Sequence, residues 1–96
     1  MTKAYLLAYS SSLGDRDAVK SILNGLTSVS KWRYDLPNSV YIISDHSARQ
    51  LAEEIRRAAG DKGRFLVTEI PDNSWGWITG ESWYLIQNHS YKPKAN

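Results

Sequence analysis

The 96-residue chain contains no cysteine, and the apolar run nearest its start covers only residues 4–9. Without cysteine, neither a disulfide framework nor a thiolate metal site can form. The short apolar run cannot serve as a signal-peptide core or a membrane span, which favours a cytoplasmic protein with no membrane partner. The net charge of +2 is too small to indicate nucleic-acid binding by itself.

Tryptophan is the residue type that the chain has in excess. Four occur in 96 residues, and three of them, Trp75, Trp77 and Trp83, lie within nine positions. A small domain uses such large rings for packing or for binding. The length predicts one domain over residues 1–90 with a flexible tail at 91–96. It also predicts a core with a thin stability margin, which favours pairing with a second copy.

The predicted elements follow the order strand, helix, strand, strand, helix, strand and a short C-terminal helix. Strands are predicted over 4–9, 31–36, 40–43 and 64–70. In the second of these, Arg33 and Asp35 share a face that the alternation predicts to be solvated. Helices are predicted after the cap residues Asp15, Ser47 and Thr79, with the first apolar stripe reaching Val29 and with Gly60 ending the second helix. This order predicts an α/β (α+β) ferredoxin-like fold, in which two helices cover one face of a four-stranded antiparallel sheet.

Both faces of the predicted sheet carry apolar side chains. In the first strand, Tyr5 and Leu7 point to one face and Leu6 points to the other. Residues 40–43 are apolar at every position. Because two helices can cover only one face, a second protomer or the Trp-rich C-terminal segment must cover the other. We predict a homodimer whose interface contains Leu6, Ile42, Trp75 and Trp77.

Candidate catalytic chemistry is sparse. His46 follows Asp45 before the second helix, a pair that fits catalysis, metal binding or ordinary loop polarity. Asp15, Asp61 and Asp72 occur where caps and turns commonly use aspartate. The sequence has no serine in a nucleophile elbow and no glycine-rich phosphate loop. We predict no catalytic residue, no metal site and no cofactor, although these patterns leave enzymatic activity open.

Three features are candidates for binding a partner. A basic cluster could contact phosphates weakly, or it could be a solvated helix face, because Glu53 and Glu54 interrupt it. Its members are Arg49, Arg56, Arg57, Lys62 and Arg64. An RNA-recognition motif would expose Tyr5, Tyr9 and Tyr41, but the third strand lacks that motif's basic-glycine-aromatic pattern. Finally, Trp75-Gly76-Trp77 fits either a recognition loop or a dimer seam.

Six short motifs in one order carry a family resemblance. They are Tyr5-Leu6-Leu7-Ala8-Tyr9, Trp32-Arg33-Tyr34-Asp35-Leu36, Ser39-Val40-Tyr41-Ile42-Ile43, Gly63-Arg64-Phe65-Leu66-Val67, Gly76-Trp77-Ile78 and Glu81-Ser82-Trp83. Together, over residues 4–89, they resemble the small bacterial and phage proteins called SinR-like. Those proteins are similar in turn to the CRISPR-associated Cas-two family of ferredoxin-like homodimers.

The resemblance implies a nuclease function, but this sequence differs from the family at the metal-binding position. Cas-two proteins are associated with metal-dependent phosphodiester cleavage, which uses an aspartate at the end of the first strand. Ser10 occupies that position here, and a hydroxyl without carboxylate help is a poor Mg²⁺ ligand. We therefore expect a non-catalytic, homodimeric binding protein that acts on a protein or nucleic-acid partner. The alternatives are a divergent metal-dependent endonuclease and an accessory or counter-defence protein of a mobile element.

Overall fold

A computed structural model describes residues 1–93, in which four strands and three helices occur in the predicted order. The elements are β1 (Lys3–Tyr9), α1 (Arg16–Gly25), β2 (Val29–Tyr34), β3 (Ser39–Ser44), α2 (Ala48–Ala58), β4 (Phe65–Glu69) and α3 (Gly80–Asn88). None of the helices in this part of the chain combines the length and the apolar character needed to cross a bilayer.

The strands form one sheet in the order β2-β3-β1-β4, with every neighbouring pair antiparallel. On the central strand β1, Leu6 lies opposite Tyr41 of β3 on one side and opposite Thr68 of β4 on the other. The architecture is therefore α+β, with a four-stranded antiparallel sheet and three helices.

The main core lies between the sheet and helices α1 and α2. Leu7 and Ile42 from the sheet meet Leu51 and Ile55 from α2, and all four side chains are completely buried. Val19 of the neighbouring helix α1 packs in the same cluster. At about 25 cal/mol per Å² of apolar area, this cluster supplies most of the burial that stabilises the fold.

The opposite face of the sheet carries a second, smaller cluster. Ala4, Tyr41 and Ile43 from the sheet pack against Leu85 of α3, which is completely buried. The C-terminal segment, which we expected as one of two covers for this face, therefore packs against part of it. Coverage by a second protomer stays a prediction.

Helix α1 ends earlier than its apolar stripe predicts. The stripe reaches Val29, but the helix ends at Gly25, and Val29 is the first residue of β2. Leu26 is already extended, with φ −98° and ψ 117°, while its N–H still bonds the Leu23 carbonyl. The prediction was wrong because apolar spacing continues through the turn, whereas the conformational freedom of Gly25 favours a helix end.

The predicted caps are confirmed at all three helices. The Asp15 side chain accepts a hydrogen bond from the Ala18 N–H at 2.8 Å. Ser47 and Gln50 form a reciprocal capping box, and the Thr79 side chain accepts from the N–H of Ser82. Because each cap satisfies amide groups that the helix leaves unpaired, these polar residues fix where the helices begin.

Alanine substitutions at two glycines distinguish the energetic cost of a positive φ from the cost of steric crowding. Gly60 and Gly63 both have positive φ, +72° and +93°. A Cβ at Gly60 meets open space, whereas one at Gly63 would lie 2.5 Å from the Cα of Leu13. We predict that Gly60→Ala costs about 1 kcal/mol and that Gly63→Ala costs about 3 kcal/mol in unfolding free energy. Urea denaturation measures both losses. Equal losses would contradict the close packing of the loop that contains Gly63 against the loop that contains Leu13.

Candidate functional site

Two tryptophans project from the segment between β4 and α3. Trp75 and Trp77 are 83% and 88% exposed, although tryptophan is usually well buried. The Trp75 ring lies 5.7 Å from the half-buried Trp83 of α3 and 6.5 Å from Trp77, centroid to centroid. The three rings therefore support one another at the surface. We call residues 71–77 the aromatic segment.

On the sheet face against which α3 packs, one corner on strands β1 and β4 stays uncovered. Leu66 of β4 is 64% exposed, and its cross-strand neighbour Ala8 is also exposed. Thr68 is exposed on the same face, and Leu6 is half-buried at the boundary with the second cluster. We call Leu6, Ala8, Leu66 and Thr68 the open half.

A polar network holds the start of α3 against β2 and the residue that follows it. The Asp35 carboxylate accepts hydrogen bonds from the Ser82 hydroxyl at 2.7 Å and from the Thr79 N–H at 3.0 Å. Arg33 Nε donates to the Ser82 hydroxyl at 2.9 Å, and Ser82 is completely buried. The strand alternation predicts Arg33 and Asp35 on a solvated face, and that prediction was wrong because α3 covers them. The opposite charges two residues apart were the only sequence signal of this network.

The outer edge of β2 is also covered. The Tyr91 hydroxyl accepts from the N–H of Trp32 at 3.3 Å and donates to the carbonyl of the same residue at 2.9 Å. The predicted flexible tail at 91–96 thus begins with a residue that contacts the sheet. The last three residues of the predicted tail, 94–96, lie outside the described residues.

The four predicted interface residues lie in different environments. Trp75 and Trp77 project into solvent, and Leu6 lies at the edge of the open half. Ile42 pairs with Tyr5 and is buried under α1 and α2, so its place in an interface on the opposite face was wrong. Its side chain lies on the same face of the sheet as Tyr5. The sequence alone did not show which residues of the third strand share a face with Tyr5 and which share one with Leu6.

His46 contacts a residue that the sequence did not pair with it. Its Nδ1 lies 3.0 Å from a carboxylate oxygen of Glu54, whereas Asp45 is 3.8 Å from its Nε2. The other Glu54 oxygen accepts from the Ser28 hydroxyl. These contacts tie α2 to the loops before β2 and after β3. Within residues 1–93, no three His, Cys, Asp or Glu side chains are grouped so that they could hold a metal ion.

Ser10, at the position where the resemblance implies a metal-binding aspartate, is held in a loop contact. Its hydroxyl pairs with that of Ser12, and its N–H donates to the Arg64 carbonyl at 2.9 Å. The tyrosines that an RNA-recognition motif would expose, Tyr5, Tyr9 and Tyr41, are 9% exposed or less. They cannot act as a stacking platform for bases without unfolding the core.

The basic cluster lies on and after α2. Arg49 pairs with Glu53 at 3.3 Å, and Arg56 pairs with Asp61 at 3.4 Å. Arg57, Lys62 and Arg64 are exposed. Since exposed pairs contribute little to stability, Arg49 and Arg56 could exchange these carboxylates for phosphates. The internal pairing nevertheless lowers the net positive charge of the cluster.

Comparisons with family models, with curated proteins and with solved structures found no match to the chain.

We expect the Asp35 network to make the stability of the fold sensitive to acid. Hydrogen bonds from Ser82 and Thr79 hold the pKa of Asp35 below its usual value of 3.8, despite partial burial. A depressed pKa stabilises the fold above the unfolded-state value, and this contribution is lost as pH falls through the folded-state value. We predict that Asp35→Asn lowers the unfolding free energy by about 1–2 kcal/mol at pH 7, and that its difference from wild type shrinks near pH 3.

The measurement is urea denaturation at pH 7 and at pH 3. Asp72→Asn is the control, because it removes the same charge from an exposed position in the aromatic segment. A loss that is equal at both pH values would show that the Asp35 charge is not what holds α3.

Proposed function

We propose that this chain is a non-catalytic binding protein with a ferredoxin-like fold, which forms a homodimer through its exposed aromatic and apolar surface. The observation that carries the proposal is the exposure of Trp75 and Trp77, together with that of Leu66 in the open half. Exposed apolar patches on a small protein usually mark an interaction site. Tryptophan in particular is enriched where binding energy is concentrated.

The strand order supports the ferredoxin-like assignment. Read from the other edge, it is β4-β1-β3-β2, with antiparallel neighbours throughout. Strands β1 and β2 are joined through α1, and β3 and β4 are joined through α2. This is the split β-α-β arrangement, to which α3 adds a partial second layer. The relation to SinR-like and Cas-two proteins is part of the same proposal and rests on the sequence motifs.

The exposed rings could supply much of the energy of association. An indole offers roughly 150–250 Å² of surface, so burying both rings of one chain would contribute on the order of 10 kcal/mol at about 25 cal/mol per Å². Association costs about 4–15 kcal/mol in lost freedom, which the rings of one chain would only balance. A homodimer buries the rings of both copies in one event, because a two-fold contact uses the same patch twice.

A protein surface suits the aromatic segment better than a nucleic acid does. Glu69 at the end of β4 and Asp72 in the aromatic segment would repel phosphates. The basic cluster belongs instead to α2 and the turn that follows it, under which the main core lies. Nucleic-acid contact by that cluster would be weak, sensitive to salt and independent of sequence.

The endonuclease alternative predicts a specific dependence on Ser10. If the chain cleaves DNA or RNA with Mg²⁺ or Mn²⁺, the Ser10 hydroxyl must reach the metal. We expect no cleavage, because the Asp15 carboxylate caps α1 and a hydroxyl alone binds Mg²⁺ poorly. Metal-dependent cleavage that disappears in Ser10→Ala would establish the alternative and contradict the non-catalytic proposal.

The test of the homodimer is light scattering after size-exclusion chromatography, over a range of protein concentrations. We predict a dimer whose melting temperature rises with concentration. Replacing Leu66 and Trp77 together by serine should raise the dissociation constant at least tenfold. A tenfold change is a lower bound, because each hot-spot residue contributes about 2 kcal/mol or more to binding. The control is Leu36→Ser, which removes a 46% exposed leucine outside this surface.

A wild-type chain that stays monomeric at high micromolar concentration, with a constant melting temperature, would contradict the proposal. Equal weakening by Leu36→Ser would show that the interface lies elsewhere.

A further inference from the structure

The two edges of the sheet differ in how they are protected. At β2, Tyr91 satisfies both backbone groups of Trp32, and a bulge between Val29 and Lys31 distorts the strand. Both devices discourage pairing with another strand. At the other edge, β4 is a regular strand over Phe65–Glu69 that pairs with β1 on its inner side. An unprotected edge strand is a template for pairing with another chain.

Two hydrogen bonds determine which backbone groups of β4 face outward. The Ile70 N–H donates to the Ala4 carbonyl at 2.8 Å, and the Arg64 carbonyl accepts from the Ser10 N–H at 2.9 Å. Because inward and outward residues alternate in an antiparallel ladder, residues 64, 66, 68 and 70 bond toward β1. Phe65, Val67 and Glu69 therefore direct their N–H and C=O groups away from the sheet.

We infer that β4 pairs with β4 of a second copy, antiparallel and centred on Val67, to form a continuous eight-stranded sheet. This inference rests on the proposed homodimer and specifies how the two copies meet. Phe65 would lie opposite the partner's Glu69, so the outward groups of each copy satisfy those of the other. Leu66 would lie opposite the partner's Thr68 on the face that α3 leaves open.

The charges near β4 favour this orientation. Lys62 and Arg64 precede the strand, whereas Glu69 and Asp72 lie at its end and just beyond it. Antiparallel pairing places the basic end of one copy beside the acidic end of the other. Parallel pairing would place like charges together, which is destabilising.

The same register places the start of the aromatic segment near the open half of the partner. Ile70, from which the aromatic segment departs, would lie opposite the partner's Arg64. That position is two residues from the partner's Leu66, so each aromatic segment starts beside the partner's open half.

Disulfide trapping tests this register, since the chain has no native cysteine. Leu66→Cys and Thr68→Cys are prepared as separate proteins, mixed and oxidised gently. Opposed residues that are not hydrogen-bonded to each other have Cα atoms about 4.5 Å apart, within the range of a disulfide. Identical positions would be diagonal, about 7–8 Å apart. We predict rapid cross-linking in the mixture and little in either variant alone.

A second pair of variants tests the backbone contact without cysteine. Glu69→Pro removes an outward N–H, which an edge strand tolerates, and should raise the dissociation constant at least tenfold. Glu69→Ala removes the same side chain, including its pairing with Lys3, but keeps the N–H. It should have a much smaller effect.

The outcomes separate this inference from the homodimer itself. A stable dimer whose cysteine variants cross-link equally alone and mixed, or do not cross-link, overturns the β4 pairing but leaves the homodimer standing. Equal weakening by Glu69→Pro and Glu69→Ala also overturns it. A chain that is monomeric by light scattering overturns both. Cross-linking confined to the mixture, together with the proline-specific loss, supports the inference.

Discussion

The apolar character of both faces of β1 and β3 is the constraint on which the rest of the structure depends. Tyr5, Leu7 and Ile42 face α1 and α2, while Ala4 and Ile43 face the other way. Water does not tolerate a whole apolar face, so the chain needs a second layer. Helix α3 supplies it, and the bonds among Asp35, Thr79 and Ser82 hold that helix in place.

The second layer is too small for the face that it must cover. Helix α3 has nine residues, which corresponds to a length of about 13 Å, and it runs from Asp35, beside β2, to the cluster that contains Ala4 and Ile43. Ala8 and Leu66, on the β1–β4 side of this face, stay exposed. We propose that the exposed tryptophans and this uncovered surface belong to one interface with a second copy.

Local rules account for the parts of the fold that could be predicted from sequence. Asp15, Ser47 and Thr79 satisfy the first amides of their helices wherever the tertiary structure places them, so capping could be predicted. Ile42 could not be assigned to a face, because its orientation depends on the β1–β3 register rather than on its own strand. The role of Asp35 was missed for a similar reason, since the residues that bond it are 44 and 47 positions away.

Amide hydrogen exchange in a series of protein concentrations tests the central claim most directly, that a second copy completes the sheet. The N–H groups of Leu66 and Thr68 bond toward β1 and should be protected at every concentration. The account predicts that those of Phe65, Val67 and Glu69 exchange rapidly in dilute protein and become protected as the concentration rises. Rapid exchange of these three amides at concentrations up to the millimolar range would contradict it.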